Sequence, residues 1–347
     1  MEITTIGLDL AKNVFQIHGV DRHGRVAVRK QLKRGQMAEY FAKLPPCLIG
    51  MEACGTAHFW ARKLLGFGHT VRLMAPQFVK PYVKSNKNDA ADAEAICEAV
   101  ARPNMRFVPI KTVEQQAVLA LHRARAGFVK ARTAQANQIR GLLGEFGLMI
   151  PKGIAHIAGR VPELIEDAAN ELPGEFRLLV DRLMENLKLL DSQVAELEAQ
   201  IKRWHSTSAA SCKLAKVPGI GPITASALVA SVGDANNFAN GRQFAAWLGL
   251  VPKQHSSGGK PTLLGISKRG DTYLRTLLIH GARSVVWANT RADKANAWLQ
   301  TLLARRHVNV AAVALANKNA RIVWALLAKD REYVSGFVSR APAGLGT

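Results

Sequence analysis

Acidic residues are scarce in this chain, and so are cysteines. Asp and Glu total 26 against 47 Lys and Arg, so the 347 residues carry a formal charge of +21. A surplus of that size selects a polyanionic partner, with nucleic acid first. The shortage of acids is uneven. Residues 1–110 hold 16 basic and 9 acidic side chains (net +7), residues 111–205 hold 13 and 12 (net +1), and residues 206–347 hold 18 and 5 (net +13). The last third is therefore expected to be the main electrostatic contact, with a near-neutral connector before it. The four cysteines, Cys47, Cys54, Cys97 and Cys212, lack CxxC spacing and paired histidines. That argues against a zinc site or a disulfide framework and fits a reducing cytoplasm. No basic-then-apolar leader is seen, and no unbroken apolar run approaches about 18 residues, so no membrane span is expected.

The elements that are present divide the chain. Three β-type runs, Ile3 to Leu10, Val14 to Val20 and Arg25 to Leu32, are separated by tight turns and predict an antiparallel meander. A helix over Gln36 to Leu44, a buried strand over Cys47 to Met51, a helix over Thr56 to Leu65, a strand over Thr70 to Met74 and a helix over Ala90 to Val100 follow. The order βββαβαβα, with carboxylates at strand ends and on the last helix, is the ribonuclease-H-like α/β arrangement. A long helix over Val113 to Phe146 carries Arg123, Arg125, Lys130, Arg132 and Arg140; a Gly- and Pro-rich loop runs from Gly147 to Gly174. Leu183, Leu187, Leu190, Val194, Leu197, Ile201 and Trp204 alternate in steps of four and three, a heptad seam that predicts a coiled coil and hence a dimer; the alternative is a helix packed on its own domain. From Ser206 the chain reads as helical, with a loop at Lys253 to Gly259 and helix again to about Lys329. The division predicted is 1–146, 147–205, 206–335, mainly α, and a tail over 336–347.

Four carboxylates stand out. Asp9 lies in the first strand, Glu52 closes the buried one, and Asp89 and Asp92 sit three apart at a helix start, on one side of it. Such a cluster suits phosphoryl transfer assisted by two Mg²⁺ or Mn²⁺ ions about 4 Å apart, bound through hard oxygen ligands. Each acid also has an ordinary explanation: Asp89 as a helix cap, Asp92 as a first-turn acid favoured by the dipole. Asp9 and Glu52 sit in apolar strand contexts, where a lone charge is costly. Leu10-Ala11-Lys12 after Asp9 is not the glycine-rich phosphate turn of an actin-like ATPase, which disfavours that reading.

In the last third, Val217-Pro218-Gly219-Ile220-Gly221-Pro222 is a turn opening a helix. Gly219 and Gly221 would let a phosphate approach the free N–H groups there; a plain helix–helix turn is the alternative. Lys253-Gln254-His255-Ser256-Ser257-Gly258-Gly259-Lys260 is a loop with two hydroxyls among basic residues, by itself a linker. Lys260, Lys268, Arg269 and Arg275 would neutralise phosphates, or form a solvated basic face. Trp287, Trp298 and Trp324 occur in apolar helical contexts and read as core.

The strings Gly7-Leu8-Asp9-Leu10-Ala11-Lys12, Met51-Glu52-Ala53-Cys54-Gly55-Thr56 and Lys87-Asn88-Asp89-Ala90-Ala91-Asp92-Ala93 resemble the DEDD transposases of the insertion-sequence 110 family. Their N-terminal domain is similar to the Holliday-junction resolvase RuvC. The segment around Ser256-Ser257-Gly258 and Lys268-Arg269-Gly270-Asp271-Thr272-Tyr273-Leu274-Arg275 is similar to the C-terminal domain of the same family. The resemblance implies that Asp9, Glu52, Asp89 and Asp92 bind Mg²⁺ or Mn²⁺, and that Ser257 attacks DNA. It further implies a composite site built from two protomers, a tetramer in the active complex, and a bridge RNA that pairs with donor and target DNA. Two rivals stay open: a metal nuclease that uses water and forms no adduct, and a non-catalytic nucleic-acid-binding protein.

Overall fold

A computed structural model describes residues 2–84, 88–257, 260–289 and 296–336; nearly all of the expected tail lies outside these. The chain separates into two compact units, Met1–Glu114 and Gln115–Thr347.

The first unit is built on a six-stranded sheet. Its elements are β1 (Thr5–Leu10), β2 (Val14–Val20), β3 (Val26–Lys33), α1 (Met37–Ala42), β4 (Leu48–Glu52), α2 (Ala57–Gly66), β5 (Thr70–Met74), α3 (Pro76–Val79), α4 (Asp89–Val100) and β6 (Phe107–Val108). The strand order is β3-β2-β1-β4-β5-β6. β1, β2 and β3 form the expected antiparallel meander, and β4 and β5 add in parallel. This mixed sheet is compatible with the ribonuclease-H-like arrangement. Successive strand residues point to opposite faces, and the sheet uses both. Ile6, Leu8, Ile49 and Met51 pack with Met37 and Phe41 of α1 and Trp60 and Leu64 of α2. The opposite face receives α4, whose Ile96, Ala99 and Val100 join Met74 in a second apolar cluster.

The second unit is mostly helical: α5 (Val113–Glu145), which begins at the junction, α6 (Ile154–Glu166), α7 (Gly174–Thr207), α8 (Ala209–Ala215), α9 (Pro222–Val232), α10 (Gly241–Trp247), β7 (Pro252–Ser257), β8 (Lys260–Ile266), α11 (Thr272–Asn289), α12 (Ala297–Leu303) and α13 (Val308–Ala328). Two expectations change here. The stretch after Gly147 contains a helix, α6, which buries Ile157 and Val161 despite Pro162 inside it. Of the loop expected at Lys253 to Gly259, Gly258 and Gly259 lie outside the described residues, and Lys253 to Ser257 instead belong to the first strand of an antiparallel hairpin, β7 with β8, so the chain returns to helix only at Thr272.

The heptad seam is covered from within. Leu187, Leu190, Val194 and Ile201 are buried in a single chain, and Met184 and Leu187 pack with Ala136, Ile139 and Leu143 of α5. Cross-links descend one helix as they climb the other: Arg125 to Glu198, Arg132 to Asp191, and Asn186 to Gln135. The pairing is therefore an antiparallel α5–α7 couple inside the chain, and the seam is no argument for a dimer. A separate helical core gathers α8 to α13 around Leu228, Phe244, Leu278 and Val323. α13 is long and apolar enough to cross a membrane, yet it buries Leu315, Ala320 and Val323 in this core.

Candidate active site

The site starts from a repeated three-residue pattern. Gly7-Leu8-Asp9 on β1 and Gly50-Met51-Glu52 on β4 lie side by side, with Gly7 opposite Gly50 and Leu8 opposite Met51. Period-two alternation sends each glycine and its acid to the same face. That face meets α4. A Cβ on Gly7 would overlap the Ala93 carbonyl oxygen and the Cys97 amide nitrogen, and a Cβ on Gly50 would stand 2.7 Å from Val100 Cβ. The two glycines thus let α4 lie directly on the strands. The start of α4 is fixed by Asn88, whose side-chain oxygen accepts the Ala91 N–H at 2.8 Å. Asn88, not Asp89, is therefore the cap, and Asp89 and Asp92 occupy the first turn, where the helix dipole favours acids.

The result is a meeting of carboxylates. One oxygen from each of Asp9, Asp89 and Asp92 lies within 4.8 Å of the others. Asp9 and Asp92 are partly buried and Asp89 is exposed. Glu52 lies outside that group, at the end of the strand beside Asp9. Its field still overlaps that of Asp9: the Cys54 thiol is pushed up by burial first, then by Glu52 and Asp9 together. Three clustered carboxylates repel one another unless a cation or protons intervene. As hard oxygen donors, they suit Mg²⁺ or Mn²⁺.

The C-terminal residues distribute differently. Ser257 is the last residue of β7, where its backbone pairs with Lys260 of β8. Described side chains along the hairpin, from Lys253 to Ser256 and from Thr262 to Gly265, are exposed. Lys268 and Arg269 are exposed just beyond it, and Lys268 holds a left-handed backbone with φ 54°. Arg275 departs from expectation. It is 7% exposed, and its guanidinium donates to the Leu248 carbonyl at 3.1 Å and to Thr272 Oγ1 at 3.1 Å. Its charge is used to hold α11 against the end of α10, so it is not a phosphate contact. Gly219 also has an internal duty: a Cβ there would sit 2.9 Å from the Gly281 carbonyl oxygen, so it is the seat of α11. Gly221 caps α9 without a side chain and is exposed. Trp287 and Trp298, expected in the core, are 59% and 40% exposed. Lys318 lies 4.4 Å from the Trp298 ring centre. Trp324 is partly buried and donates its indole N–H to the Phe238 carbonyl.

With this geometry in place, comparison with known proteins is decisive. Residues 6–147 match a family model described as a transposase, the DEDD type of IS110. Residues 212–297 match one described as a transposase of the IS116/IS110/IS902 family. A probable family 20 transposase of Pseudomonas aeruginosa is 57% identical, over 97% of this chain and 100% of that protein. The chain belongs to the DEDD transposases of the IS110 family. Other relatives of this transposase include one for insertion sequence element IS1111A of Coxiella burnetii, 45% identical over 96% of this chain and 92% of the relative. Another, for element IS1328 of Yersinia enterocolitica, is 46% identical over 93% and 96%.

One group in the transposase carries no signal in the sequence. His122 of α5 is buried, with Nδ1 3.0 Å from Tyr273 Oη and Nε2 3.1 Å from Ser226 Oγ. Ser226 already donates its hydroxyl proton to the Pro222 carbonyl at 2.7 Å. It therefore accepts from Nε2–H, leaving Nδ1 to accept from Tyr273. Burial, and then the nearby Arg125, lowers the His122 pKa to about 4. The neutral ring ties α5, α9 and α11 together just after the Lys268-Arg269 segment. A histidine amid arginines on a helix gives no spacing that announces such a role.

Proposed function

We propose that this transposase moves an insertion sequence by DNA strand exchange, using Asp9, Glu52, Asp89 and Asp92 as a divalent-metal tetrad and Ser257 as a nucleophile. The observation that carries the proposal is the meeting of Asp9, Asp89 and Asp92 on a seat formed by Gly7 and Gly50. A bound Mg²⁺ or Mn²⁺ would polarise the scissile phosphate and offset charge on the leaving oxygen. The serine oxygen attacks phosphorus and gives up its proton, the bond to the 3′ oxygen breaks, and a 3′ hydroxyl leaves, with the 5′ strand held as a phosphoserine ester. Lys260, Lys268 and Arg269 steady the phosphates, and Gly221 offers the α9 N-terminus to another. The net charge of +21 suits a second polyanion, a bridge RNA whose pairing chooses donor and target DNA. In this reading the protomers assemble so that the serine of one serves the tetrad of another, first as a dimer and then as a tetramer.

The test is a denaturing gel of protein incubated with Mg²⁺, element-end and target DNA, and RNA transcribed from the element's flanks. Wild type should give a DNA adduct that survives denaturation, and Ser257→Ala should give none. Asp9→Ala should retain nucleic-acid binding while strand exchange disappears. Cleaved DNA without an adduct in both wild type and Ser257→Ala would instead favour a nuclease that uses water. Full activity in Asp9→Ala would sink the tetrad.

A further inference from the structure

The basic residues of α5 lie outside the carboxylate cluster and the hairpin. Between Glu114 and Glu145 this helix contains no acid and five basic residues. Two of them turn inward, Arg125 to Glu198 and Arg132 to Asp191. The other three do not share that direction. Arg123 and Lys130 are exposed, seven residues apart, and between and beyond them on the same helical face come Gly127, Ala134 and Asn137, all exposed. Small side chains between cations let a bulky polyanion approach the helix closely.

At its far end this face opens into a recess of about 390 Å³ lined by Thr133, Asn137, Arg140 and Lys152, beside the first turn of α6. None of the residues lining it is acidic. Arg140 donates from Nη1 to Asn137 Oδ1 at 2.8 Å, while its Nε is buried with no hydrogen-bond partner. α6, 13 residues long, begins at Gly153, which supplies no side-chain cap, and has no acid in its first turn. Two cations and helix N–H groups without a side-chain cap share one recess, where the Thr133 hydroxyl already donates to the Val129 carbonyl. That donor set is complementary to a phosphate.

We propose that the outward face of α5 is a second duplex-DNA contact, following the phosphate backbone past Arg123 and Lys130 and seating one phosphate in the recess of Arg140 and Lys152. The face presents no aromatic side chain on which an unpaired base would stack, which favours a duplex backbone over a single strand. The inference rests on the reading of the chain as a DNA-acting enzyme, but it concerns residues outside the tetrad and the hairpin.

Binding of the full-length protein to a short mixed-sequence DNA duplex, in EDTA and across a salt series, tests it. Arg123→Gln with Lys130→Gln should lower the slope of log affinity against log salt by about two, and separately Arg140→Gln with Lys152→Gln, which share one phosphate, should lower it by about one; each pair should weaken binding at moderate salt by about tenfold. Melting temperatures should stay near that of wild type. Arg140→Lys, which keeps the charge, should keep the slope. Lys268→Gln with Arg269→Gln serves as the reference. If that pair weakens binding and the α5 pairs do not, the α5 contact is wrong and the DNA-acting reading stands. If wild type does not bind the duplex at all, both fall. A loss confined to a hairpin RNA competitor would also overturn the proposal, by assigning the face to RNA.

Discussion

At the scale of single residues, much depends on atoms that are missing. Gly7 and Gly50 have no Cβ, and that omission seats α4 beside Asp9. Gly7→Val should therefore cost about 3 kcal/mol or more, since backbone rather than a yielding side chain blocks the added carbons. It should also abolish activity in the fraction that still folds. A urea melt with an unchanged midpoint would contradict the close approach. The acids themselves were legible in the sequence, because charges in apolar strands are conspicuous. The glycines two residues before them, Gly7 and Gly50, are ordinary in a strand, and only their shared spacing from the acids signals the close approach. His122 makes a second prediction. Its pKa is lowered from 6.5 to about 4 in the folded chain, so below 6.5 the unfolded chain takes up a proton that the folded chain refuses. Its contribution to stability is whole above the unfolded value and is lost as pH falls through that window, by at most about 1.4 kcal/mol per pH unit. Stability measured from neutral pH toward the lower value should fall less steeply in His122→Asn than in wild type. His18 and His205, also lowered by burial, add the same sign to both proteins.

Among elements, legibility followed contrast. β1 to β5 alternate or run apolar between turns and lie close to where that pattern puts them, whereas the two-residue β6 is too short to show a pattern. β7 and β8 carry no strand signature, because Lys253-Gln254-His255-Ser256-Ser257 is polar on both sides. The cue available in the sequence is the Gly258-Gly259 pair that follows, a composition suited to two-residue hairpin links. α6 is disguised by Gly159 and Pro162, even though Ile154, Ile157, Val161 and Leu164 recur at helical spacing. The heptads of α7 announce a seam, but a seam does not say whose surface covers it. With α5 as that cover, Leu190→Asp should place a charge in an apolar contact and destabilise the monomer by about 3 kcal/mol or more. A change in sedimentation with no loss of thermal stability would restore the seam to a second chain.

On the scale of the whole molecule, charge is divided by region. The last 142 residues carry net +13, and of the four cations singled out there Lys268 and Arg269 have exposed side chains while Arg275 is internal. Removing Lys268 and Arg269 should reduce the salt slope of DNA binding by about two, whereas Arg275→Gln should mainly lower stability, because its guanidinium holds carbonyls rather than phosphates. Equal salt slopes for the two changes would refute that division. One further property belongs to the α5–α7 couple. Helices of 33 and 34 residues are each about 50 Å long. Cross-links join them at three levels. Such a pair is a beam: it resists torsion as well as bending, because neither helix can roll without shearing the links to the other. The three levels fall within residues 125–135 of α5, so that stretch should turn with α7 as one body.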